Sequence, residues 1–221
     1  MKKICVDTDI FGWFVKKTSN EGQEDNITKA EWLFNWFFEE KIKVVIPSLV
    51  VAEILSGVHD EDKREEISDF ICDNFEILQF DIISARIFSD IQIEKYRGNG
   101  KERLQQYRNQ NSVPSCAMKN DWSIASCAIS NNCQAIFTNN SRDYKKFVGE
   151  DRLQIYDLSF VDEKKKEIEE ELRLKEEQKK LEEAKLKKIA EGELLPKDLS
   201  EFETFEQAQK RKETKESSNE D

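Results

Sequence analysis

The sequence predicts an α/β fold, a mostly parallel sheet flanked by helices, with a charged C-terminal tail that is helical at first and then disordered. Three observations support this. Short β-branched runs alternate with longer helical periodicities, the order expected of βαβ units. Acidic residues stand just past several of those runs, where a parallel sheet offers its ligand crevice. Charge is also crowded toward one end: residues 161–221 hold 35 charged side chains in 61 positions, and the whole 221-residue chain is 37% charged against the ~25% usual for globular proteins. The core therefore belongs to residues 1–160, and 161–221 form the tail.

In chain order, the first strand is Lys3-Ile4-Cys5-Val6, which stops at Asp7-Thr8-Asp9. Thr18–Asn26 is polar and contains glycine, so it is predicted as a loop, with Thr28 capping the next helix and Glu31 returning a bond to it. Trp32, Leu33, Trp36 and Phe37 share one face of that helix and read as core. A second strand, Lys43–Ile46, meets Pro47-Ser48, the start signal for a helix over Leu49–Leu55 with Ser48 as its cap. Glu53 is then a lone charge in an otherwise apolar helix. Helices are predicted over Asp62–Asp73 and Asp81–Tyr96, with a strand at Phe75–Phe80 between them. Gly98-Asn99-Gly100 breaks the pattern, and a polar helix is predicted over Lys101–Gln110. Asn120 is predicted to cap a helix with Asp121 in its first turn, leading to a strand at Ala135–Thr138, the turn Asn139-Asn140-Ser141, a short helix at Asp143–Val148 and a last strand near Leu153–Tyr156. Residues 163–191 suit a solvated helix without a sustained heptad, and the last ~20 residues have a disordered composition.

Composition narrows the chemistry. No apolar run approaches the ~20 residues that span a bilayer and no hydrophobic stretch follows Lys2-Lys3, so a cytoplasmic protein without membrane attachment is expected. Five cysteines in no C-x-x-C pair read as reduced thiols, mostly buried. With His59 as the single histidine, a His-rich metal site, a Ser-His-Asp triad and a Cys-His dyad are all disfavoured. A net charge of −11 argues against coating nucleic acid through the overall field, though not against a local basic groove. Catalysis would have to rest on carboxylates.

Asp7 ends the first strand, Glu53 opens the helix after the second, Asp121 opens the helix before the fourth, and Asp143 follows that strand. Each has a plain explanation alone: an acid in the first turn of a helix is favoured by the dipole. Together in one crevice they would repel unless a cation neutralised them. Oxygen donors without histidine or thiolate select Mg²⁺ or Mn²⁺, which can activate water and stabilise a leaving oxygen in phosphodiester hydrolysis.

Four strings, Ile4-Cys5-Val6-Asp7-Thr8-Asp9-Ile10, Ile46-Pro47-Ser48 with Val51-Ala52-Glu53-Ile54, Asp121–Ala128, and Thr138-Asn139-Asn140-Ser141-Arg142-Asp143-Tyr144, resemble in order and placement the PIN-domain ribonucleases, and among them the VapC-type toxins. The likeness runs over roughly residues 3–158. It implies a PIN-like nuclease domain over 1–160 whose catalytic and metal-holding acids are Asp7, Glu53 and Asp121. Asn139 and Asn140 depart from the family's pattern, which leaves Asp143 as the fourth acid and puts a second metal ion in doubt. Asp9 is read as a turn residue that could supplement the pocket, with Thr8 and Thr138 as polar contacts. The function implied is a metal-dependent endoribonuclease acting on single-stranded RNA, the toxin of a toxin–antitoxin pair. Protein partners to look for are an antitoxin and a second copy of the chain.

Substrate contacts are suggested independently by Arg97, Lys101, Arg103 and Arg108, a basic stretch interleaved with Tyr96 and Tyr107; a solvated helix face or a lid are the competing readings. Two rival functions stand beside the nuclease. Val6-Asp7-Thr8-Asp9 resembles the nucleophile strand of haloacid-dehalogenase-type phosphatases, but the strand continues differently and no late acidic pair follows. A non-catalytic PIN-like assembly module acting through the tail is the other.

Overall fold

The computed structural model describes residues 2–96, 106, 109, 115–148 and 151–190. Five strands, β1 (Lys3–Val6), β2 (Lys43–Pro47), β3 (Glu76–Leu78), β4 (Ala135–Phe137) and β5 (Gln154–Tyr156), form one sheet in the order β3-β2-β1-β4-β5. Every neighbouring pair is parallel. Ile4 and Cys5 of β1 pair with Val44 and Val45 on one side and with Ala135 and Ile136 on the other. A central strand covered on both faces has no polar side to present, and Ile4, Cys5 and Val6 are accordingly fully buried.

The chain leaves β1 toward β2 and β3 on one side and reaches β4 and β5 on the other, so the strand order reverses between β1 and β4. In open α/β sheets the crevice beyond the carboxyl ends of the strands at such a reversal is where ligands bind. Asp7 and Thr138 lie one residue past these two strands. The Asp7 amide donates to the Phe137 carbonyl at 2.9 Å, joining the two strand ends.

Eight helices are described: α1 (Thr8–Lys16), α2 (Glu24–Glu39), α3 (Ser48–Ser56), α4 (Glu61–Asn74), α5 (Ile82–Tyr96), α6 (Ser115–Ser130), α7 (Ser141–Phe147) and α8 (Ser159–Ala190). An aromatic cluster fills one layer of the core. Phe14 stacks on Phe34 at 3.9 Å between ring centroids, and Phe11 and Phe34 each meet Phe75 edge-on. On the α2 face predicted as core, Leu33, Trp36 and Phe37 are buried.

Several predicted starts move. Helix α1 follows β1 directly, where the sequence shows only a strand end; Asp7 is its cap, accepting from the Thr8 amide. Helix α2 begins at Glu24 rather than at a Thr28 cap, because Glu24 and Asp25 already complement the dipole of its first turn. Pro47 holds the cap position of α3, with Ser48 as the first helical residue, and Glu53 lies in the second half of that helix rather than opening it. Strand β3 is trimmed to Glu76–Leu78; the Asp81 carboxylate accepts from the Ser84 amide at 2.8 Å at the start of α5. Helix α6 begins at Ser115, so Asn120 is not its cap and Asp121 is not in its first turn. An asparagine beside an acid satisfies the same pattern at a cap and inside a helix, and here packing of Trp122, Ile124, Ala125 and Ala128 decides.

Cys5, Cys127 and Cys133 are buried free thiols, and Cys72 is an exposed one. Among the described residues no helix is long and apolar enough to cross a membrane. The predicted helix over Lys101–Gln110, the basic residues Arg97, Lys101, Arg103 and Arg108, and the last ~20 residues lie outside the described residues, apart from Gln106 and Asn109.

Contacts within the chain group residues 1–164 into one unit and those from Lys165 on into a second. The start of α8 belongs to the first: Phe160 packs on Trp36 and Phe137, and Val161 is fully buried. Lys29 of α2 pairs with Asp162 at 2.6 Å. In the second unit, Arg173 lies within ion-pair distance of Glu170 and Glu177, and Lys179 of Glu183. Each such exposed pair contributes only ~0.3–0.5 kcal/mol, enough to favour a solvated helix.

Candidate active site

Four segments bring their polar groups to the reversal point. The strand order places Asp7 there from β1, the Pro47 turn aims α3 so that Glu53 reaches it, α6 supplies Asn120 and Asp121, and the turn after β4 supplies Thr138 and Asn140. A ring of hydrogen bonds links them. The Asp7 carboxylate accepts from the Thr8 amide and from the Thr138 hydroxyl, both at 2.7 Å. The Thr8 hydroxyl donates to Glu53 Oε2, and Asn120 Nδ2 donates to Glu53 Oε1 at 2.6 Å. Next to Asn120, Asp121 accepts from Asn140 Nδ2 at 3.1 Å. The Asn140 amide donates to Thr138 Oγ1 at 3.0 Å, which closes the ring back to Asp7.

The carboxylates in this ring feel one another. Asp7, 6% exposed, is the one buried carboxylate among the described residues. Burial pushes it up to about 6, against the lowering effect of Thr138 and Thr8, and the charges of Asp9 and Glu53 add to the rise. Asp121 is pushed to about 7, first by loss of solvent and then by Asp7, Asp143 and Glu53, with the Asn140 amide opposing. Asp9 is raised by desolvation and by Glu53, while the Asn139 amide and Lys16 hold it down. Asp143, in the first turn of α7, is bridged to Lys146 at 3.0 Å and acts on Asp121 from the flank.

Asp7, Glu53 and Asp121 thus share one neighbourhood, with Asp143 behind Asp121 and Asp9 beside Glu53. Their donors are hard oxygens, and the carboxyls are raised first by burial and then by one another's charge. In kind they fit a divalent cation. In arrangement each is engaged by a hydroxyl or amide, and among the described residues no three carboxylate, histidine or cysteine side chains converge as a ligand set.

Three residues of the site have roles that sequence reasoning did not assign. Asn120 and Asn140 each hold one acid, and the fully buried Tyr144 brings its phenol against Asp7 and Asp121 without a well-formed hydrogen bond. Asn120 carries a signal in hindsight, its adjacency to Asp121. Tyr144 carries none, since an aromatic in a short helix reads as core.

A family model for the PIN domain matches residues 4–150. No curated protein matches the chain. Similar solved structures include VapBC2 from Rickettsia felis bound to a DNA fragment from its promoter, with 19% identity over 70% of this chain and 98% of that one, TM-score 0.46. DNA-bound VapBC from Salmonella typhimurium gives 19% identity over 72% and 99%, TM-score 0.49. VapBC-5 from Mycobacterium tuberculosis, a member of the VapBC family of toxin–antitoxin systems, gives 17% over 71% and 99%, TM-score 0.39.

Proposed function

The chain belongs to the PIN-domain family, and from that membership we propose that it is a divalent-metal-dependent endoribonuclease acting on single-stranded RNA, the toxin of a toxin–antitoxin pair. The observation that carries the nuclease reading is the gathering of Asp7, Glu53 and Asp121 at the strand reversal, where burial first and the neighbouring acids second raise Asp7 to about 6 and Asp121 to about 7. The toxin assignment rests on the four sequence motifs, and implies an antitoxin protein that restrains the enzyme in the cytoplasm.

Asp7, Glu53 and Asp121 would hold Mg²⁺ or Mn²⁺, with Asp143 as a more distant acid. The ion, when bound, supplies a Lewis acid for the phosphodiester and an activated water. Thr8 and Thr138 orient the carboxylates by donating to Glu53 and Asp7. Asn120 donates to one oxygen of Glu53 and Asn140 to one oxygen of Asp121, which fixes the orientation of each carboxylate.

The test is single-turnover cleavage of labelled single-stranded RNA with Mn²⁺. Asp7→Asn, Glu53→Gln and Asp121→Asn should each slow it by at least ~100-fold, about 2.7 kcal/mol of lost barrier lowering. The double variant Asp7→Asn/Asp121→Asn should be little worse than either single change, because the acids act as a unit. Mn²⁺ should raise the melting temperature of the parent and not of Asp7→Asn. Cleavage that survives the double change would move the reaction elsewhere.

One observation favours a second reading. Neutral side chains, Asn120 and Asn140, occupy an oxygen of Glu53 and of Asp121, as expected of a PIN-like module that binds without cutting. Absence of both Mn²⁺ stabilisation and RNA cleavage in the parent protein would select it.

A further inference from the structure

Thr8, Asp9 and Asn139 also form one end of an open cleft of about 350 Å³ that follows α1 to Lys16 and the Thr18–Gln23 turn. We propose that this cleft is a nucleotide subsite, which takes the ribose and base of the residue next to the scissile bond and holds its phosphate on Lys16. The proposal rests on the RNA-cleaving reading and adds to it where the strand runs.

Position is the first argument. The cleft shares Thr8, the donor to Glu53, with the acid ring, and Asp9 and Asn139 stand at that same end, so a strand held at the acids has the cleft as its neighbouring surface. Asp9 and Lys16 are seven residues apart on α1, two turns along one face and roughly 10 Å along the axis, the reach of a nucleotide or so. Chemistry is the second. Beyond the acid end the polar lining consists of hydroxyls and carboxamides, from Thr18, Ser19, Asn20 and Gln23. Such groups pair with ribose hydroxyls and base edges in either direction, donor or acceptor.

Lys16 is the third. It is the one basic residue lining the cleft, and among the described residues its ammonium is in no salt bridge. Its stem lies back along α1 over Gly12, where an added Cβ would come 3.6 Å from Cε, and its ammonium reaches the end of α3 beside Gly57. The side chain therefore lies against α1 at the edge of the cleft, with its ammonium near the end of α3. A cation so held, next to a cluster of raised carboxyls in a chain of net charge −11, gives a polyanion a local contact that the overall field denies it.

The test uses the full chain, a short labelled single-stranded RNA, fluorescence anisotropy across a salt series, and the Mn²⁺ cleavage assay. Lys16→Gln should weaken binding about fivefold at low salt and reduce the slope of log affinity against log salt by ~0.7, the value for one released counterion on a single strand. Lys16→Arg should restore both. Asn20→Ala with Gln23→Ala should weaken binding and leave the slope unchanged. In Lys16→Gln and in the Asn20→Ala with Gln23→Ala variant the loss should show in KM more than in kcat. A Lys16→Gln protein that still binds and cleaves RNA with the parent's affinity and slope overturns the subsite while leaving the nuclease intact. A parent that cleaves no RNA fails the functional reading instead, and takes the subsite with it.

Discussion

Asp7 is the carboxylate with most to gain from a cation: it is buried, it has acidic neighbours, and its hydrogen bonds from Thr8 and Thr138 only partly offset the loss of water. The same is true of Asp121 to a lesser depth. Both groups titrate above the ~3.9 of an unfolded aspartate, so between pH ~4 and ~7 the folded chain holds protons that the unfolded chain has released. Their contribution to stability is therefore fully present below pH ~4 and lost as pH rises through about 6 for Asp7 and about 7 for Asp121. Denaturant unfolding of the metal-free protein should show stability falling over that window. Asp121→Asn should flatten the fall and leave the protein more stable at pH 8 by on the order of 1 kcal/mol, since it removes a charge that repels Asp7. Excess Mn²⁺ should cancel the fall in the parent. A stability that rises from pH 5 to pH 8 without metal would mean that the acids are already neutralised by protein.

At the scale of elements, the first turn of α8 closes the core rather than starting a free tail. Phe160 lies 5.3 Å from the ring centres of both Trp36 and Phe137, and 5.1 Å from that of Tyr156. Phe160→Ala should cost about 2–3 kcal/mol in urea unfolding, at the low end for an aromatic because Phe160 keeps some exposure. Strands were the most legible elements, since β-branched runs such as Lys43–Ile46 leave little choice of conformation once they are fully buried. Helix starts were less so. Helix α1 stayed hidden because Ile10, Phe11, Trp13 and Phe14 crowd one short segment, where a helical and an extended reading both bury apolar side chains. Asp7 was legible as a charge at the end of an apolar strand, whereas Glu53 and Asp121 stood out as charges among apolar neighbours but lie inside their helices, not at the starts that the sequence suggested. Their holders Asn120 and Asn140 were not legible, because an asparagine reads equally as a cap, a turn residue or an anchor, and only the tertiary contact decides.

For the molecule as a whole, residues 1–164 contain the sheet, the core and the ring of acids, whereas the described helix beyond Lys164 exposes Leu172, Leu174, Leu181 and Leu186. A chain ending at Lys164 should keep the parent's unfolding cooperativity and midpoint within ~0.5 kcal/mol, because it retains Phe160, Val161 and the Lys29–Asp162 pair. One ending at Leu158 should lose more than the Phe160 change alone. Circular dichroism melts of the two fragments separate these outcomes.

The strand reversal also bears on synthesis. Asp7 is made 131 residues before Thr138, which fixes its carboxylate, and β1 finds its β4 neighbour only in Ala135–Phe137. Closing that interval depends on pairing between distant parts of the sequence, the slow class of folding event. A ribosome-bound chain that has not yet released β4 carries Asp7 and Glu53 without Thr138 or Asn140 to complete the ring. The destructive capacity proposed for this protein would therefore be withheld from a half-made chain by topology alone. It would arise only when the last third of the domain docks, the interval in which a restraining partner has its first opportunity to bind.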